Sequence, residues 1–134
     1  ERRSAALNEA IPQDINWILN SLADVGMCLL GLAILRVVFG RGSRVFREWR
    51  WGALSILFVW FMAQNLYVEL VVYSKQLSAG IISWAPMAPT GPWFNPVLFE
   101  IGGHPATLHG QLPWVIMTPL FYWMVIKTNN TEGR

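Results

Sequence analysis

An apolar run from Trp51 to Tyr73, WGALSILFVWFMAQNLYVELVVY, constrains this chain more than any other feature. As a helix rising about 1.5 Å per residue it reaches about 35 Å, enough to cross a hydrocarbon core of roughly 30 Å with modest tilt. The alternative, the core helix of a soluble protein, needs polar surface to enclose it. A chain of 134 residues that is 54% hydrophobic and only 13% charged has too little. The run therefore implies a membrane span carrying one carboxylate, Glu69.

A second run, Ile15 to Phe39, follows Pro12 and Asp14, which suit a helix entry because proline needs no donor there and the carboxylate complements the helix dipole. Along it Asn16, Asn20 and Asp24 recur every four residues, and Cys28 and Gly31 continue the strip at helical spacing. A carboxyl facing lipid near mid-span costs about 2.5–3.5 kcal/mol, so this strip is expected to face protein. A third, shorter span opens at Gln111-Leu112-Pro113 and reaches about Lys127, with Pro119 removing one backbone bond inside it. The lone Cys28 permits no intrachain disulfide.

Charge supplies an orientation. The connection 40–50 carries Arg41, Arg44, Arg47 and Arg50 against the single Glu48, whereas residues 74–111 hold Lys75 as their only Lys or Arg. The positive-inside rule places the arginine connection and the C-terminus in the cytoplasm, and the N-terminus and 74–111 outside, in a periplasm or lumen. Flanked by Phe46, Trp49 and Trp51, the four arginines read as lipid-headgroup contacts rather than a nucleic-acid surface. Asn129-Asn130-Thr131 matches a glycosylation sequon, but this topology puts it on the wrong side. Pro86, Pro89, Pro92, Pro96 and Pro105 make 74–111 a long, irregular but structured outer loop. Within it, Asn95-Pro96 as a start signal and Gly102-Gly103 as a stop predict a short helix around VLFEI. The expected fold is an all-α integral membrane protein: one domain over 1–134 with transmembrane helices at about 15–39, 51–73 and 112–127, and a Pro- and aromatic-rich loop between the second and third.

Two groupings could carry chemistry. If the first two spans are antiparallel neighbours, Asp24 and Asn65 lie about 5 Å outside the midplane, and Asn20 and Glu69 about 10 Å outside it. These four are expected to form an interhelical polar cluster. Intramembrane carboxyls are also often functional, which makes Glu69 and Asp24 candidate catalytic acids. Glu100, His104 and His109 supply ligand types suited to zinc, copper or non-haem iron, although Gly102, Gly103 and Pro105 break any regular spacing among them. Their plainer role is interfacial hydrogen bonding. No His falls within a span to ligate a haem, and HExxH, CxxC, Walker A, GxSxG and dinucleotide-type glycine patterns are missing. No cofactor is implied.

Three helices leave most of each surface uncovered. The leading expectation is a non-catalytic accessory subunit of a larger energy-converting or oxygenase-type membrane complex, with other membrane subunits and lipids as partners. The alternative is a small membrane enzyme that uses the outer-leaflet carboxylates and histidines, with or without a metal, on a lipid-like or hydrophobic substrate.

Overall fold

The computed structural model describes residues 13–73, 75 and 96–131. Three long helices dominate these residues: α1 (Gln13–Phe39), α2 (Trp51–Tyr67) and α3 (Leu108–Thr131). A π-helical segment, Val68–Tyr73, continues α2 directly. The stretches Ile18–Phe39 and Trp51–Val72 are long and apolar enough to cross a membrane. α3 does not meet that mark: it is one continuous helix, but His109, Gln111, Pro113 and Pro119 lower its hydropathy.

The all-α expectation needs one correction. VLFEI is not a short helix but strand β1 (Val97–Ile101), paired antiparallel with β2 (His104–Thr107). Gly102 and Gly103 have φ of 59° and 79°, the two successive positive values that a two-residue hairpin turn requires. The glycines that looked like a helix stop are a hairpin turn, and Val97, Phe99 and Ile101 favour the strand they close. A register shift between Val97 and Phe99 accommodates the extra Leu98. Most of the outer loop, including the Pro86, Pro89 and Pro92 segment, lies outside the described residues.

A two-stranded hairpin is marginal by itself, and this one is tied down at its second strand. Ala106 is fully buried, β2 packs against the π-helical segment, and the Leu108 N–H donates to the Pro96 carbonyl at 3.0 Å. The chain then enters α3 from Thr107, so the third helix starts earlier than Gln111.

α2 packs chiefly against α3, and α1 lies against α2. The α2–α3 core holds Leu57, Phe61 and Tyr122, with the Phe61 ring 5.3 Å from Trp114 and 5.7 Å from Phe121. Gly31 lets α1 approach α2: a Cβ there would stand 3.0 Å from Leu57 Cδ2 and 3.3 Å from Trp60 Cδ1. The Trp60 indole N–H crosses the same seam to the Met27 carbonyl at 3.0 Å.

Between α1 and α2 the connection is compact. Gly40, at φ 84°, ends α1 and donates its N–H to the Arg36 carbonyl, as a glycine just past a helix end commonly does. A 3-10 turn, Arg44–Phe46, then buries Val45 and Phe46. Tyr122 of α3 fixes this turn, its hydroxyl donating towards the carbonyls of Val45 (2.8 Å) and Glu48 (3.2 Å) and accepting from the Arg50 N–H (3.2 Å).

Candidate functional site

At the opposite end of the bundle from the arginines, polar side chains of α2 and its π-helical continuation meet the start of α3. Asn65, Glu69 and Gln111 are 9%, 4% and 3% exposed, so each must find its partners within the protein. Asn65 Nδ2 donates to the Gly110 carbonyl (2.8 Å) and to Gln111 Oε1 (3.0 Å). Gln111 Nε2 in turn donates to Glu69 Oε2. Glu69 Oε1 accepts from the Thr107 N–H (3.1 Å) and the Thr107 hydroxyl (3.0 Å), and that hydroxyl accepts from the Gly110 N–H (3.3 Å).

The arrangement is a helix cap assembled from two helices. Thr107 immediately precedes α3, and its hydroxyl takes the N–H of the third helical residue, as an N-cap side chain does. In a capping box the glutamate at that third position reaches back to the N-cap N–H. Here the third position is Gly110, and Glu69, from the π-helical continuation of α2, accepts the Thr107 N–H instead. A Cβ on Gly110 would stand 2.6 Å from both Glu69 carboxylate oxygens, so the missing side chain is the space the carboxylate fills. The positive end of the α3 dipole favours a carboxylate in that place.

The network also has a fixed direction. Because the Asn65 amide NH2 faces the Gly110 carbonyl, it can offer Gln111 only a donor. Gln111 must therefore present its oxygen to Asn65 and its NH2 to residue 69. The Thr107 N–H is a donor from the other side, so residue 69 has to accept on both oxygens.

The expected interhelical cluster is thus redirected. Asn65 and Glu69 do form a buried polar cluster, but its hydrogen bonds run to Thr107, Gly110 and Gln111, and none among the described residues joins either to Asn20 or Asp24. Depth along the span matched the two helices, but depth leaves open which neighbour a polar face meets. Asn20 is half-buried on α1, while Asp24 is exposed and makes no hydrogen bond among the described residues.

Of the potential metal ligands, Glu100 is exposed on β1 and His109 is half-buried in the first turn of α3. The backbone register pairs His104 with Ile101 and Glu100 with Pro105, and the His104 side chain lies outside the described residues. Among the described residues no three His, Cys, Asp or Glu side chains gather closely enough to hold a metal ion. Arg41, Arg44, Arg47 and Arg50 are all exposed in the connection, where Arg50 is engaged by Glu48 at 2.7 Å.

Sequence reasoning missed Thr107, Gly110 and Gln111. The available signal was a Thr placed directly before a helix, with Gly where a capping carboxylate usually stands. No protein-family model matches the chain, and comparisons with curated proteins and with solved structures give no match.

Proposed function

We propose that this chain is a membrane-embedded, non-catalytic packing subunit of a larger membrane complex, with α3 as a third span and the arginine connection on the cytoplasmic side. The observation that carries the reading is Asp24: a carboxyl exposed near the middle of an apolar helix, with no hydrogen bond from its own chain among the described residues. Facing lipid it would cost about 2.5–3.5 kcal/mol, a cost removed when a neighbouring polypeptide offers it a polar partner. Burial supports the membrane part. Only 11% of the apolar window of α1 and 22% of that of α2 lie inside the protein, where the core helix of a soluble protein would be mostly buried. The outward residues Ile18, Leu22, Val25, Leu29 and Val37 are all more than half exposed.

The enzyme reading has one observation on its side: the buried Glu69 stands in a π-helical turn, a distortion frequent at functional sites. Against it, both carboxylate oxygens are occupied by donors of the chain itself, which is what a structural cap requires.

Photo-crosslinking in the native membrane tests the proposal. Benzoylphenylalanine in place of Ser21, beside Asp24 on the same exposed helix, should give one discrete adduct with a different membrane polypeptide, and Asp24→Leu should abolish it. At Val37, nearer the arginine connection, the same probe should label lipid. Lipid adducts alone at both positions, or an adduct only with a second copy of this chain, would overturn the complex-subunit reading.

A further inference from the structure

Where α1, the arginine connection and α3 come together, a cavity of about 110 Å³ opens, several times what one water molecule needs. Arg36, Arg41 and Arg47 line it together with Asn129, and among the described residues no carboxylate does. The one carboxylate of the connection, Glu48, is held by Arg50 at 2.7 Å, outside the cavity lining. None of the three lining arginines has an ion pair among the described residues. Three arginines around one space, with no carboxylate of the described residues among them, call for an anion, and the planar donor forks of arginine match phosphate oxygens.

The rest of the lining specifies what the anion is attached to. Leu32 lies one helical turn before Arg36 on α1, and Val125 one turn before Asn129 on α3. Both helices end at this face: the Arg36 carbonyl caps against Gly40, and Asn130 Nδ2 donates to the Arg47 carbonyl at 2.9 Å. On both walls the apolar residue is therefore the deeper one, and the polar residue is nearer the helix end. A site graded from apolar to cationic along two parallel helices matches an amphiphile with an anionic head, in the place where basic pockets between spans meet the headgroup layer. We infer that the Arg36/Arg41/Arg47 cavity binds the phosphate of one anionic glycerophospholipid, whose chains run past Leu32 and Val125. The inference rests on the membrane reading above.

The test uses the full chain in phosphatidylcholine nanodiscs containing a minor fraction of phosphatidylglycerol, read by native mass spectrometry and lipid extraction. The expected result is a single retained phosphatidylglycerol. The double substitution Arg36→Gln/Arg47→Gln should lower its retention at least roughly tenfold, the scale of losing a hydrogen bond to a charged group. Both side chains are exposed, so helical content should not change. Arg50→Gln, which removes a charge from the Glu48 pair instead, should leave retention unaltered. An equal fall in Arg50→Gln would reduce the effect to general attraction and overturn the site. Displacement of the lipid by excess inorganic phosphate would overturn the lipid assignment in favour of a free-anion site. A chain that enters the nanodisc but keeps no phosphatidylglycerol overturns the site alone, and one that does not enter it overturns the membrane reading.

Discussion

The two ends of the bundle are fastened by different chemistry. At the arginine end the neutral Tyr122 hydroxyl grips three backbone groups, those of Val45, Glu48 and Arg50. At the other end the Glu69 carboxylate is held mainly by side chains, those of Gln111 and Thr107, with one backbone N–H. A clasp on backbone depends little on which residues the connection carries. A clasp on side chains needs every member to be right, because each donor determines what the next must accept. The arginine connection can therefore vary its charges without loosening the fold, whereas the Glu69 end has little freedom.

The largest effect expected from that contrast is at Gly110. Gly110→Ala puts a methyl 2.6 Å from two carboxylate oxygens that three hydrogen bonds hold in place. Overpacking together with a broken buried network should cost roughly 3 kcal/mol, read as a shift of the unfolding midpoint in detergent micelles. An unshifted midpoint would mean that the carboxylate moves aside freely and that the cap is not rigid.

Glu69→Gln comes next and preserves shape. Its amide brings an NH2 to a place where the Gln111 NH2 and the Thr107 N–H both need acceptors, so one buried donor loses its partner, at roughly 2 kcal/mol. A neutral outcome would show that the chain Asn65–Gln111–residue 69 can reverse, contrary to the direction set by the Gly110 carbonyl. Tyr122→Phe should cost less, about 1 kcal/mol, although it removes contacts with three partners. The connection around it is largely exposed, and water can replace the lost hydroxyl at the Glu48 carbonyl and Arg50 N–H. If Tyr122→Phe proved more damaging than Glu69→Gln, the ranking of the two clasps would be reversed.

Hydropathy alone located α1 and α2, because long apolar runs leave a chain few choices. The hairpin was harder to read for a local reason. Gly102-Gly103 serves equally as a helix stop and as a two-residue turn, and the Asn95-Pro96 start signal tipped the reading towards helix. The Glu69 site was half legible. Asn65 and Glu69 stood out as polar groups in an apolar run, but their partners lie about 40 residues further along the chain. The short connection made α1 the obvious neighbour, while α3 had more to offer: an N-terminal turn of unpaired N–H groups needing an acceptor.

The smallest predicted effect concerns α1, the helix that belongs to neither clasp. Trp60 Nε1 donates to the Met27 carbonyl across the Gly31 seam, yet that carbonyl also has its own helical partner, the Gly31 N–H one turn on. Trp60→Phe therefore strands no acceptor, and the global midpoint should move by about 0.5 kcal/mol or less. The local consequence should be larger than the global one. Apart from this bond α1 is held by packing alone, at Gly31 and the fully buried Leu35 with Cys28 and Leu32 beside them, and its outward residues Leu22, Val25, Leu29 and Leu30 are apolar and exposed. Amide exchange in Trp60→Phe should rise in α1 while α2 and α3 stay protected, because the Glu69 and Tyr122 clasps are untouched. Equal exchange in all three helices would mean that α1 is integral to the core, and a helix so bound would have less need of an outside partner for Asp24.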